Sequence, residues 1–241
     1  MKKYIDIVTV TGASDDTSLE DMVNIQKEYP YVEWGILLSR NQAGKQWRFP
    51  SFIWINRLLI SPLNTELKLS GHLCGKFVNE ILMGEIKDDL RYILDSGIFK
   101  RIQINTHGAR ARWDGRNFNE KVLQKYPNIQ FIFQHDEVND FDYWANRLYQ
   151  ASNIASLYDL SHGAGVLPDK WDDPLEGIYT GYAGGLSPDN LATELLKLDE
   201  AVGDTRVWID AETHLRSKGD QIFDLEKVKK FLEIAKSRIY V

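Results

Sequence analysis

Hydrophobic residues along this chain fall into short β-rich runs that alternate with longer amphipathic ones. Tyr4–Val10 (YIDIVTV) and Val32–Leu38 (VEWGILL) read as the first two strands, because β-branched and aromatic side chains crowd into runs too short for a helix. Between them Ser18–Tyr29 reads as a helix opened by the Asp16/Thr17 cap region. Pro50–Ile60 is a second helix with proline at its start, and Glu66–Ser70 is a weakly marked third strand. Ile86–Asp95 is helical and stops at Gly97. Arg101–Asn105, Ile129–Gln134 and Ala155–Leu160 are strands, with helices over Asn117–Tyr126 and Phe141–Gln150 between them. Gly177–Tyr182 and Arg206–Asp210 are the last two strands, followed by helices Pro188–Ala201 and Asp224–Ser237.

The count is eight strands, spaced by roughly the 25–30 residues of a βα unit. A doubly wound sheet alternates in the same way, but eight strands in 241 residues favour closure. The expected fold is a single (β/α)8 barrel, one domain over residues 1–241. The helix after the sixth strand is reduced or missing, since Ser161–Glu176 reads as loop. No linker or low-complexity stretch divides the chain.

Composition narrows the possible partners. Apolar residues are 43% of the chain and charged residues 27%, which suits a packed core rather than a disordered chain. Lys plus Arg is 29 against 35 for Asp plus Glu, a net charge of −6 that gives no general basic face for nucleic acid. A local pocket for one phosphate stays open. The single cysteine, Cys74, leaves no disulfide framework and no Cys-rich zinc site. MKKYIDIVTV meets Asp6 before any secretory apolar run develops, and no run approaches a membrane span. The expectation is a cytoplasmic protein with no membrane or nucleic-acid partner, as a monomer or homodimer.

Barrels of this kind keep their chemistry at the C-terminal ends of the strands. All five histidines, His72, His107, His135, His162 and His214, fall at or just past an expected strand end, as do Asp136, Asp159 and Asp210. A polar pocket follows. A lone loop histidine is ordinarily just solvated, and the absence of H-x-H or other tight ligand spacing weakens a metal reading, although imidazole and carboxylate suit Zn²⁺, Mn²⁺ or Fe²⁺. Asp159 ends the strand SLYDL between Tyr158 and Leu160, where partial desolvation raises a carboxyl and lets it serve as a general acid; it could equally tie the loop that follows. Tyr182–Pro188 (YAGGLSP) closes the seventh strand and opens a helix. Gly184 and Gly185 there bring backbone N–H groups to an anion, with the helix terminus adding its dipole, or else they serve only the turn. Gly163 and Gly165 form a second glycine loop on the same side.

These residues resemble a known family. Ala183–Asn190 (AGGLSPDN) is similar to the AGGL-x-P-x-N segment of phosphoribosylanthranilate isomerase. Leu157-Tyr158-Asp159, Gly163-Ala164-Gly165 and Trp171-Asp172 resemble its LLD…GGTG…FDW, and Ile209-Asp210 with Gly219 and Asp224–Val228 its D-V-S-S-G-V-E…G…KD-x-x-K-I ending. Gln103–Gly108 (QINTHG) resembles Q-L-H-G with one insertion, and Trp34-Gly35-Ile36 with Arg48-Phe49-Pro50 resembles G-F-x-F…S-P-R. The match covers roughly the last ninety residues well and the earlier ones in patches.

The resemblance implies a barrel of tryptophan biosynthesis that runs an Amadori isomerisation of a phosphorylated ribose derivative without a cofactor. It places the general acid on Asp159 and the substrate and phosphate site on Gly184, Gly185, Gly163, Gly165, His107, Asp210 and Thr213. A carboxylate-binding arginine falls on Arg48. The family's general-base cysteine in K-I-C-G-I-T is replaced by Thr11, whose hydroxyl is too weakly acidic to act unaided, so Cys74 is the other base candidate. Where the family has S-S-G, this chain has Ala211-Glu212-Thr213-His214-Leu215-Arg216: Glu212 repels a phosphate, and Arg216 can pair with one. The alternatives are a non-catalytic barrel that holds a phosphorylated ligand, and a metal-dependent hydrolase or lyase built on the histidines.

Overall fold

The computed structural model describes residues 2–107, 112–139, 151–161 and 163–240. Eight parallel strands close into a barrel in chain order. They are β1 Ile5–Thr11, β2 Val32–Leu38, β3 Leu69–Leu73, β4 Phe99–Ile104, β5 Gln130–His135, β6 Ile154–Tyr158, β7 Tyr179–Tyr182 and β8 Val207–Ala211. Closure is made by β1 against β8, with Thr9 opposite Asp210 and Val10 opposite Ala211. Helices between the strands complete a (β/α)8 barrel.

The helices start where the sequence offers a side-chain acceptor. Ser18 takes the Asp21 amide, Ser51 the Trp54 amide, and Asp224 the amides of Glu226 and Lys227. Helices Leu19–Glu28, Phe52–Ile60, Asp88–Asp95, Leu191–Val202 and Leu225–Ala235 match the expected ones to within a few residues. The expected Asn117–Tyr126 helix is a single α-turn at Gly115–Phe118 running into a π-turn at Asn119–Leu123. The described residues of Ser161–Glu176 form no helix, while the expected Phe141–Gln150 helix lies outside the described residues.

Further features differ from expectation. Pro62–Glu66 winds into a 3-10 turn capped by Ser61, so β3 begins at Leu69 instead of Glu66 and runs on through Gly71 and His72. A helix at Lys76–Met83 then follows, opened by Gly75 and closed by the left-handed Gly84. Beyond β8, Arg216–Ser217 pairs with Ile222–Phe223 as a small antiparallel ribbon.

Side chains alternate across each strand. Val8, Val10, Ile102 and Ile209 belong to the large core beneath the helices. Their neighbours Ile7, Ile132, Ala155, Leu157, Ala183 and Trp208 form a second, smaller cluster on the opposite face, inside the barrel. Continuing that inner face toward the C-terminal strand ends gives Thr11, Gln134, Asp159 and Asp210. The same periodicity that packs the barrel therefore delivers polar groups to its mouth.

Candidate active site

A cavity opens at the C-terminal ends of β4 to β8. Asp159, Asp210, His107 and Thr213 line it, and so do the glycines Gly163, Gly165, Gly184 and Gly185. These positions come from four separate segments of the chain, and the barrel brings them together.

Asp159 is partly buried and fixed at both oxygens. Oδ1 accepts from the Ser161 hydroxyl at 2.6 Å and the Ser161 amide at 3.1 Å; Oδ2 accepts from Gln134 Nε2 at 3.0 Å. Gln134 orients more than this carboxyl. Its Oε1 accepts from the backbone amides of Thr106 (2.9 Å) and His107 (3.1 Å), and so holds His107 at its unusual φ of +51°. Asp210 sits differently. It is buried, and its Oδ1 accepts the Thr11 hydroxyl at 2.9 Å. Burial pushes its carboxyl well above the usual range, the Thr11 bond opposes this, and the negative charges of Glu212 and Asp159 add to the rise.

The glycine loops need their glycines. Gly184 and Gly185 have φ of +102° and +68°, and a Cβ on Gly185 would lie 2.4 Å from the Leu167 amide nitrogen. Among the described residues the amides of Gly184, Gly185 and Leu186 meet no protein acceptor, so three successive N–H groups are free at the cavity wall. The helix expected to add its dipole starts only at Leu191, with Asn190 as its cap. A helix dipole fades beyond its first turn, so an anion here rests on loop amides and not on a helix end.

Several candidates lie away from the cavity wall. Thr11 is fully buried and acts on Asp210 rather than on a ligand. Cys74 is buried behind Asn105, whose Nδ2 lies 3.5 Å from Sγ, and burial pushes the thiol up to about 12. A thiol so placed holds its proton and does not line the cavity, which leaves it poorly placed to act as a base. Arg216 does not line the cavity. Nη1 donates to Gly12 O (2.6 Å), Nη2 to Trp47 O (3.0 Å) and Nε to Asp220 O (3.0 Å), tying three loops together. Arg48 is held by Glu212 at 2.6 Å and Asp220 at 2.8 Å. Glu212 itself lines the cavity, and loss of hydration pushes its carboxyl up against the pull of Arg48.

The histidines separate. His107 and His214 line the cavity, with His214 Nε2 2.8 Å from Gly165 O. His135 closes β5 and packs on Tyr158, ring centres 4.5 Å apart. His72 lies within β3 and is buried; burial and the nearby Arg101 lower its imidazole to about 3. His162 lies outside the described residues. Among the described residues no three His, Cys, Asp or Glu side chains are grouped to hold a metal ion. No described helix is long and apolar enough to cross a membrane.

Gln103, Asn105, Gln134 and Ser161 also line the cavity, and a search centred on histidines and carboxylates missed them. For Gln103, Asn105 and Gln134 the signal was the alternation at the ends of β4 and β5, where every second residue of Gln103-Ile104-Asn105 and of Ile132-Phe133-Gln134 faces the barrel interior.

No family model matches the chain, and no curated protein matches it in sequence. Among solved structures it is similar to 3-hexulose-6-phosphate synthase from Salmonella typhimurium, with a TM-score of 0.51 at 12% identity over 98% of this chain and 99% of that one. It is also similar to native KDPGal, with a TM-score of 0.53 at 11% identity over 96% and 95% of the two chains. At such identities the likeness establishes the barrel. The resemblance to phosphoribosylanthranilate isomerase rests on sequence motifs alone.

Proposed function

We propose that this barrel is an enzyme that isomerises a phosphorylated, sugar-derived small molecule by general acid/base catalysis. The observation that carries the reading is that Asp159 and Asp210 face one cavity in opposite settings. Asp159 accepts three hydrogen bonds and donates none, so it is set to take a proton. Asp210 is buried, accepts one hydroxyl and holds its proton to higher pH than an ordinary carboxyl, so it is set to give one.

An aldose-to-ketose shift needs such a pair. Asp210 protonates the ring oxygen as the ring C–O bond breaks, and Asp159 takes the proton from C2. This leaves an open-chain enol; C1 then gains a proton as the C2 hydroxyl gives one up to become the carbonyl, and proton exchange between Asp159 and Asp210 resets both carboxyls, with no net change in atoms or charge. The sequence resemblance placed the acid on Asp159; the two settings favour the reverse assignment. Thr11 stands where the family has its base, and here it positions the acid. The free amides of Gly184, Gly185 and Leu186 suit the phosphate. A barrel neighbour whose name contains a hexulose phosphate adds support for a sugar phosphate.

The test is incubation of the protein in D₂O with phosphorylated ribose derivatives, phosphoribosylanthranilate among them, followed by NMR and mass spectrometry. The expected result is rearrangement without loss of atoms, with solvent deuterium entering at C1, the carbon that gains a proton as C2 becomes the carbonyl. Asp159→Asn and Asp210→Asn each lower turnover by about 10²–10⁴-fold and leave ligand binding in place. Tight binding with no conversion of any ligand would overturn the enzyme in favour of a ligand-holding barrel.

A further inference from the structure

We infer that the substrate's end remote from its phosphate carries hydroxyl or amino groups and no carboxylate. The inference rests on the reading just given and deepens it. Asp159, Asp210 and Glu212 all line the cavity, and among the described residues no lysine or arginine does. The other polar side chains of the wall include the neutral amides Gln103, Asn105 and Gln134.

Arg48 and Arg216, the arginines that the sequence offers for a ligand anion, are already engaged. Arg48 lies behind Glu212, and each of its three nitrogens donates to a carboxylate: Nη1 to Glu212 Oε1 at 2.6 Å, Nη2 and Nε to Asp220 Oδ2 at 2.8 and 3.0 Å. Every nitrogen of Arg216 donates to a backbone carbonyl. A ligand carboxylate entering here meets Glu212 before it meets Arg48. It would have to displace two carboxylates to form its own bidentate pair. Like charges brought together in a partly buried site repel strongly. Hydroxyl and ammonium groups meet the opposite situation, because both donate to the carboxylates that the wall presents. The phosphate instead meets uncharged backbone N–H groups on the β7 loop. The same arrangement separates this site from one that takes an anthranilate ring, whose carboxylate would call for a free Arg48.

The experiment is calorimetric titration of the full chain with ribose 5-phosphate, glucosamine 6-phosphate, 6-phosphogluconate and inorganic phosphate at pH 7.5. The expected result is binding of ribose 5-phosphate or glucosamine 6-phosphate at least fivefold tighter than 6-phosphogluconate. Freeing Arg48 with the Glu212→Gln/Asp220→Asn double variant, or with Glu212→Gln alone if the double variant does not fold, narrows that gap toward the carboxylate. A preference below fivefold in the unmodified protein, or a preference for 6-phosphogluconate, overturns the inference and leaves the phosphosugar reading standing. Failure of all four ligands to bind overturns both.

Discussion

Two carboxylates flank β1, and the barrel treats them in opposite ways. Glu33 on β2 accepts the Thr9 hydroxyl at 2.9 Å, and Asp210 on β8 accepts the Thr11 hydroxyl at 2.9 Å. The donors are two residues apart on one strand and share its inner face. Glu33 also meets Arg101 at 2.8 Å, and that guanidinium packs 4.1 Å from the Trp208 ring centre. Among the described residues Asp210 pairs with no cation, and the charged neighbours that shift it, Glu212, Asp159 and Glu33, are all acidic. Glu33 lies near the start of its strand, Asp210 near the end of its own. The difference teaches where this barrel seals itself and where it keeps a reactive group. An uncompensated buried acid costs stability, and a folded chain retains one where it meets a ligand.

The sharpest way to break the comparison is to neutralise each acid in turn. Asp210→Asn is expected to lower turnover by about 10²–10⁴-fold, measured on the best ligand of the phosphosugar set. Glu33→Gln is expected to leave the per-molecule turnover of folded protein essentially intact. Equal losses in both variants would mean that the two acids are not functionally distinct.

Much of the fold and part of the site were legible in the sequence, the Glu33–Asp210 contrast was not, and the illegible part has a physical cause. Strand number, order and closure follow from the periodicity, since β-branched runs and capped helices alternate through the chain. Asp159, Asp210 and the glycines were reachable because their segments end strands. What failed was register and partnership. The 3-10 turn at Pro62–Glu66 moved β3 by three residues and turned His72 from a rim residue into an interior one. Nothing in the order of residues says that Arg48 faces Glu212 and Asp220, or that Arg216 binds three carbonyls. Apart from Arg216 with Asp220, these partners lie more than 150 residues apart, and only closure of the barrel creates them.

The next effect falls on stability. Glu33→Gln leaves Arg101 buried, with Nη2 already lacking a partner, and should cost about 3–5 kcal/mol in chemical denaturation. Replacing both Glu33 and Arg101 by apolar residues of similar volume should recover most of that loss. A cost below about 1 kcal/mol for the single change would show that Glu33 and Arg101 do not act as a closed pair.

Asp210→Asn should move stability the other way, and the sign depends on pH. The folded state raises the Asp210 carboxyl, so folding is unpenalised below the unfolded value of about 3.9. The penalty grows as pH rises from there to the folded value and is complete above it. Asparagine does not ionise and can still accept the Thr11 hydroxyl. The variant should therefore match the parent near pH 4 and melt higher at pH 8, by about 2–4 °C for each kcal/mol of relieved penalty. A lower melting temperature at pH 8 would count against a strained acid at this position.

The smallest effect separates the two threonines themselves. Valine keeps the shape of threonine and removes its hydroxyl; the fit is tight at Thr11, whose Oγ1 would lie 2.0 Å from a Cβ on Gly35. Each change removes one hydrogen bond, about 0.5–1.5 kcal/mol, so melting alone does not distinguish them. The pH profile does. The Thr11 hydroxyl favours the ionised form of Asp210, so Thr11→Val should raise that carboxyl further. If protonated Asp210 is the working acid, activity is lost as pH rises through its titration, and the alkaline limb of kcat/KM should move upward in Thr11→Val. Thr11→Ser should return it, while Thr9→Val, acting on an acid already paired with Arg101, should leave it in place. A limb that moves equally in both valine variants would assign the titration to some group other than Asp210.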